Sequence, residues 1–153
     1  VYPAYKCNMT DIMAAIGLVQ LNRYEKLMQR RREIIEMYDR LLLPLGIQSL
    51  QHYGEESTSS GHLYLARIPW IGEAKRNEII VKMANMGIAT NVHYKPLPML
   101  TAYKKLGFDI ENYPNAFKVY KNEITLPLHT LLSDTDVEYI CNSLKEILDG
   151  ILI

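Results

Sequence analysis

The 153-residue sequence has little cysteine, no excess of charge of either sign and no long apolar run. Two cysteines are too few for a disulfide framework and are typical of a reducing compartment. Seventeen basic residues balance seventeen acidic ones, which removes the basic surface that marks most nucleic-acid-binding domains. No apolar stretch approaches the roughly 18–20 residues that span a bilayer, and no signal-peptide pattern is present. We therefore expect a cytoplasmic protein without nucleic-acid or membrane partners.

The composition that remains is that of an ordinary globular domain. Apolar residues make up 48% of the chain and charged residues 22%, which argues against disorder. The length suits one domain built around a single core. Because the sequence starts at Val1 rather than at methionine, we expect either part of a larger protein or a processed chain.

A long helix is the first element that the sequence predicts. Apolar residues recur near the helical period from Ile12 to Leu41, after Thr10, a residue type that caps helix N-termini. Pro44 and Gly46 are typical helix terminators, so the helix should run for about thirty residues. Its first half, residues 12–19, is apolar on nearly every side. This pattern predicts burial on more than one side, against another domain or subunit.

The rest of the sequence predicts short strands between helices. Strands are predicted over residues 47–51, 62–70, 88–94 and 124–128, and helices over residues 72–86, 99–106, 114–123 and 133–148. This order predicts one α/β domain in which helices pack on a small, mostly antiparallel or mixed sheet, entered by the long helix.

The segment YKCNMTDI, residues 5–12, carries side chains suited to an anion. Lys6 and Asn8 come just before the predicted helix N-terminus. Free backbone N–H groups and the positive end of the helix dipole meet there, an arrangement that favours a phosphate. The alternative is a plain helix cap, which the residues alone favour.

The segment NVHYKPLP, residues 91–98, is the second candidate site. His93 and Tyr94 come where a predicted strand runs into a proline-rich turn, a common position for active-site groups. A structural histidine is the alternative. The four histidines and two cysteines match no paired metal-ligand spacing, so we predict no metal site.

Several segments, taken together and in order, resemble one enzyme family. They are YKCNMTDIMAAIGLVQLNRYEKLMQRRREI, HLYLARI, GIATNVHYKPL, YKKLGF, YPNA and ITLPLHTLLSDTDVEYI. The chain is similar over almost its whole length to the C-terminal part of the DegT/DnrJ/StrS family. These enzymes are aminotransferases that depend on pyridoxal 5'-phosphate (PLP) and act on keto-sugars linked to nucleotides.

The resemblance implies that residues 1–153 are the small, C-terminal domain of a fold-type I PLP enzyme. In this family the lysine that binds the cofactor lies in a large N-terminal domain, so no catalytic residue is assigned within this chain. The chain alone should therefore be inactive. The implied reaction of the larger enzyme is ping-pong transfer of an amino group, typically from glutamate, to a keto-sugar nucleotide. Such enzymes serve amino-sugar and surface-polysaccharide biosynthesis.

The resemblance also implies roles for individual residues. Asn8 matches an asparagine that contacts the cofactor phosphate. In another variant of this segment the asparagine stands at the position that Lys6 occupies here. Family members are usually homodimers in which this segment reaches the neighbouring subunit's cofactor. His93 and Tyr94 match a histidine–aromatic pair near the sugar substrate or amino donor. Met99 stands where the family often has a second histidine, which leaves room for a different substrate preference.

The sequence leaves two alternatives open. One is a free-standing α/β module that binds a small molecule or regulates another protein. The other is the small domain of a relative that has lost the cofactor lysine and acts as a regulator or as a dehydratase-like enzyme.

Overall fold

The computed structural model of the chain describes residues 7–151. In this range five α-helices flank a pair of strands. The helices are α1 (Asp11–Leu42), α2 (Glu73–Asn85), α3 (Thr101–Lys104), α4 (Pro114–Tyr120) and α5 (Asp134–Asp149), and the strands are β1 (Tyr64–Arg67) and β2 (Glu123–Leu126). Short 3-10 helices lie at Leu43–Leu45, Leu97–Met99 and Ile110–Asn112. In the described range, no helix is long and apolar enough to cross a membrane.

The two strands form an antiparallel pair, with Tyr64 opposite Leu126 and Arg67 opposite Glu123. All four residues of β2 are buried, whereas β1 alternates between buried and half-buried positions. An α/β fold with a small antiparallel sheet, entered by one long helix, is thereby confirmed.

Two predicted strands are wrong. Residues 47–51 and 88–94 each contribute only an isolated bridge, Gln48 with Arg67 and Asn91 with Thr125. The side-chain Oδ1 of Asn91 accepts the backbone N–H of Val92 at 2.8 Å. Local bonds of this kind compete with a strand ladder. The chain therefore touches β2 at one residue and then turns away.

The long helix α1 has two halves with different surroundings. Its buried residues begin at Ile34 and end at Leu42, and residues 11–33 include none. The apolar stretch at residues 12–19 is largely exposed in this chain, with Ile12 75% and Leu18 63% exposed. The cover expected from another domain or subunit is therefore not supplied by residues 7–151.

The core lies between the C-terminal half of α1, the two strands, α2 and α5. Its fully buried members include Ile34, Ile35, Tyr38, Leu42, Tyr64, Ala66, Ile79, Met83, Ile124, Val137 and Leu144. The α5 helix begins as predicted, because Ser133 and Asp136 form a reciprocal capping box. This single core fixes the position of β2, which carries the candidate site described next.

Candidate functional site

His93 lies in the loop that follows the Asn91 bridge and packs against β2. Its ring is half-buried, and its Nδ1 is 2.9 Å from the Thr125 hydroxyl oxygen. The neighbouring Tyr94 ring meets the imidazole edge-on at 4.6 Å between centroids and is itself 73% exposed. One nitrogen of the imidazole is therefore held by the fold, next to an aromatic side chain that projects into solvent.

Glu123 supports this arrangement from the buried side. Its Oε1 accepts the Thr125 hydroxyl at 2.6 Å, and its Oε2 accepts the backbone N–H of His93 at 3.2 Å. The residue is only 2% exposed. Burial raises the pKa of the Glu123 carboxyl, while the bonds from Thr125 and His93 act in the opposite direction. Glu123, Thr125 and His93 thus form one hydrogen-bonded chain from the interior to the surface.

Arg76 on α2 supplies a buried positive charge beside Glu123. Its guanidinium Nη1 donates to the carbonyl oxygens of Tyr120, at 2.9 Å, and Glu123, at 3.3 Å. The residue is 1% exposed, and its Nη2 lies 3.8 Å from a carboxylate oxygen of Glu73. These contacts join the end of α4 to the start of β2, and so they hold Glu123 in place.

Asn8 lies in a different environment, at the exposed start of α1. The N-terminus of α1 is capped by Thr10, whose hydroxyl oxygen accepts the backbone N–H of Met13 at 3.3 Å. Asn8 is therefore not the residue that caps the helix, and its side chain makes no hydrogen bond to any residue between 7 and 151. Lys6, the other candidate phosphate ligand, lies outside the described residues.

Within residues 7–151 of one copy of the chain, no hydrogen bond joins Asn8 to the His93 site. Asn8 precedes the exposed half of α1, which reaches its first buried residue, Ile34, about 35 Å of helix beyond Asp11. His93 is bonded to β2 in the core sheet. In residues 7–151, no group of His, Cys, Asp and Glu side chains could hold a metal ion.

Sequence reasoning missed Glu123, Thr125 and Arg76. The sequence did carry a signal for Glu123 and Thr125, since both are polar residues within an apolar segment. Residues two apart on a strand share a face, so their side chains lie on the same side of β2. Ionisable residues are rarely buried without a partner. Nothing in the helical pattern distinguishes Arg76 from the exposed charges of α2, since its burial depends on α4.

Comparisons with known proteins agree with the fold. The model of the DegT/DnrJ/EryC1/StrS aminotransferase family matches residues 2–145. The spore coat polysaccharide biosynthesis protein SpsC of Bacillus subtilis (strain 168) is 33% identical over 97% of this chain and 39% of SpsC. The UDP-4-amino-4,6-dideoxy-N-acetyl-beta-L-altrosamine transaminase of Campylobacter jejuni (serotype O:2) is 28% identical over 96% of this chain and 39% of that protein.

A solved structure gives the same result. The PMP form of Spr1654 from Streptococcus pneumoniae, described as a sugar aminotransferase, superposes with a TM-score of 0.94 at 54% identity. The match covers 99% of this chain and 38% of that one, and the PLP form of the same protein also gives 0.94.

The architecture therefore matches part of a fold-type I aminotransferase. The chain belongs to the DegT/DnrJ/EryC1/StrS aminotransferase family, as its sequence segments predicted. It spans 39% of the length of each of the two curated relatives.

Proposed function

We propose that this chain is the C-terminal small domain of a larger PLP-dependent aminotransferase. The observation that carries the proposal is the near-complete superposition of the chain on about two-fifths of Spr1654, for which PLP and PMP forms are known. The larger enzyme would transfer an amino group, typically from glutamate, to a keto-sugar linked to a nucleotide. The names of the relatives support amino-sugar or polysaccharide biosynthesis as its setting, and we propose that the enzyme works in the cytoplasm.

The residues of the α1 start fit the phosphate of the cofactor. Asn8 is exposed, its amide is not used by the helix cap, and amide N–H groups are good donors to phosphate oxygens. Lys6 would add a positive charge to the same segment. When bound, PLP supplies the electron sink that makes amino-group transfer possible. Within this chain the contribution of Asn8 and Lys6 is to bind and orient that group.

His93 and Tyr94 are proposed to contact the sugar substrate or the amino donor. The fold holds the imidazole through Nδ1, so its other nitrogen is left for a ligand. The exposed Tyr94 ring next to it can cover an apolar face of a sugar or nucleotide. Neither residue forms a covalent bond to the substrate in this assignment, and both position it.

A homodimer is the proposed assembly. The exposed apolar side chains of residues 12–21 are too many for a helix half that stays in water. Asn8 lies at the exposed start of this half and forms no hydrogen bond with the His93 site within residues 7–151. A partner subunit that covers the helix could bring Asn8 to the partner's cofactor.

Spectroscopy of the full-length protein that contains this chain tests the proposal. The protein should take up PLP, glutamate should shift the cofactor's absorption band, and a nucleotide-linked keto-sugar should restore it. A protein that takes up no PLP would favour the small-molecule-binding or regulatory module. Uptake of PLP without a response to glutamate would favour the relative that has lost the cofactor lysine.

A further inference from the structure

The strongest feature outside the assigned residues is the chain of bonds from Glu123 through Thr125 to His93. The donors and acceptors along this chain can be assigned from chemistry. The Thr125 hydroxyl has a single proton, and it is directed at Glu123 Oε1, 2.6 Å away. Toward His93 Nδ1, at 2.9 Å, Thr125 can then only accept. With Glu123 ionised, the imidazole therefore carries its proton on Nδ1.

The direction of the chain depends on the ionisation of Glu123. Its second oxygen accepts the backbone N–H of His93 at 3.2 Å, and an ionised carboxylate accepts at both oxygens. The buried guanidinium of Arg76 donates to the main-chain carbonyl of the same residue and adds a positive charge nearby. A protonated Glu123 would reverse the direction of both hydrogen bonds. It would donate to Thr125, and Thr125 would donate to His93 Nδ1.

We propose that Glu123 and Thr125 are positioning residues that fix His93 in the Nδ1–H tautomer and present Nε2 as a hydrogen-bond acceptor. Among residues 7–151, nothing forms a hydrogen bond with Nε2. The group that His93 recognises is then a donor, a hydroxyl or an ammonium, rather than a phosphate or carboxylate oxygen. The consequence for the substrate rests on the proposed function, in which a sugar hydroxyl or the amine of the amino donor would donate to Nε2. The tautomer of His93 does not rest on the proposed function.

Nitrogen NMR of the 153-residue chain at pH 8 measures the tautomer directly. With ¹⁵N-labelled histidine, long-range proton–nitrogen spectra separate protonated from unprotonated ring nitrogens, and His93→Gln assigns one set among the four histidines. We expect His93 to give a protonated Nδ1 and an unprotonated Nε2. A protonated Nε2 in the unaltered chain overturns the proposal without the need for any further variant.

Two substitutions at Thr125 separate positioning from packing. Thr125→Val keeps the shape but removes the hydroxyl, and the His93 signals should move toward a mixture that includes the Nε2–H form. Thr125→Ser restores a hydroxyl and should restore the signals of the unaltered chain. If Thr125→Val folds and His93 keeps a pure Nδ1–H form, Thr125 does not set the tautomer and the proposal fails.

Steady-state kinetics of the full-length enzyme test the consequence for the substrate. Thr125→Val should lower kcat/KM for the substrate that contacts His93 by about tenfold or more and leave PLP affinity unchanged, whereas Thr125→Ser should recover most of the loss. An unchanged kcat/KM would refute the acceptor role. An enzyme with no transaminase activity at all would refute the proposed function but leave the NMR result standing, so the two failures are distinguishable.

Discussion

The guanidinium carbon of Arg76 lies 4.7 Å from the centre of the Tyr120 ring, over its face. The same side chain donates to the carbonyl oxygens of Tyr120 and Glu123. A single residue of α2 thus combines a cation–π contact with two main-chain bonds across the connection between α4 and β2. Because Glu123 begins the chain of bonds to His93, the stability of this connection and the geometry of the candidate site depend on each other.

Removal of this guanidinium should destabilise the fold strongly. Arg76→Met leaves two buried carbonyl oxygens without a donor and Glu123 without its nearby positive charge, so the free energy of unfolding should fall by about 3 kcal/mol. Lys75→Met on the same helix is the matched control, because Lys75 forms an exposed pair with Glu78 and its loss should have no measurable effect. Urea unfolding followed by circular dichroism measures both. Equal midpoints for the two variants would contradict a structural role for Arg76.

In the larger enzyme, Asn8 and His93 should affect different quantities. If Asn8 binds the cofactor phosphate as proposed, Asn8→Ala removes a hydrogen bond that contributes roughly 1.5–3 kcal/mol, so PLP affinity should fall by about ten- to a hundredfold. His93→Ala should leave PLP affinity nearly intact and slow one or both half-reactions. Titration of the apo-enzyme with PLP separates the two. Met9→Ala is the control in the same exposed segment, and an Asn8→Ala variant that binds PLP as tightly as this control would remove Asn8 from the cofactor site.

The 153-residue chain by itself should not catalyse transamination. The family resemblance assigns the cofactor lysine to a large domain, and the proton transfers of the reaction depend on that lysine. The chain should be mixed with PLP, glutamate and a panel of keto-sugar nucleotides, and product formation compared with that of free PLP under the same conditions. Turnover above the free cofactor would show that the small-domain assignment is wrong.

The apolar half of α1 should make the chain associate with itself. Ile16 and Val19 lie one turn apart on this half, and both are more than half exposed. Sedimentation equilibrium should detect oligomers, and a dye that reports apolar surface should bind. Glu substitutions at Ile16 and Val19 should reduce both signals, whereas Lys145→Glu on the exposed face of α5 should not. A monomeric chain with no dye binding would contradict the need for a partner at this surface.

The buried His52 should make stability depend on pH. The ring stacks on Tyr64 at 6.0 Å, and burial lowers its pKa against a weaker opposing effect of Asp39. The unfolded chain therefore takes up a proton before the folded one does as the pH falls. This contribution to stability is present above about pH 6.5 and declines below it.

His52→Phe, which keeps a ring but cannot be protonated, should flatten the decline of the unfolding free energy between about pH 7 and 5. His62→Gln, at an exposed histidine, should keep the pH profile of the unaltered chain. Denaturation curves at several pH values measure the difference. Parallel profiles for His52→Phe and the unaltered chain would contradict the effect of burial.

The starts of the two longest helices were predictable because local chemistry determines them. The end of α4 was predicted wrongly, because the helix predicted to reach Glu123 stops at Tyr120 and Glu123 begins β2. Thr10 and the Ser133–Asp136 pair cap their helices as residue type and spacing predict. The strand predicted over residues 88–94 does not form. Its apolar residues satisfy a strand pattern, but a strand forms only where a partner continues alongside, and here β2 meets only Asn91.

For the candidate site, the sequence predicted the surface residues and missed their support. His93 could be identified from its position before a proline turn and from the family resemblance. Glu123 and Thr125 act on it from a strand 30 residues away, and their part depends on side-chain directions that only the folded sheet defines. Contacts so distant in sequence leave no local pattern, apart from the presence of a carboxyl group in an apolar strand.

The two-part character of α1 has a mechanical consequence. With about 35 Å of helix between Asp11 and Ile34, a tilt of roughly 5° about the buried end displaces the start of the helix by about 3 Å. That distance is the length of one hydrogen bond. Small rotations about the buried half therefore become large displacements at Asn8. The precision of any bond made by Asn8 depends on how tightly residues 11–33 pack against the surface that covers them.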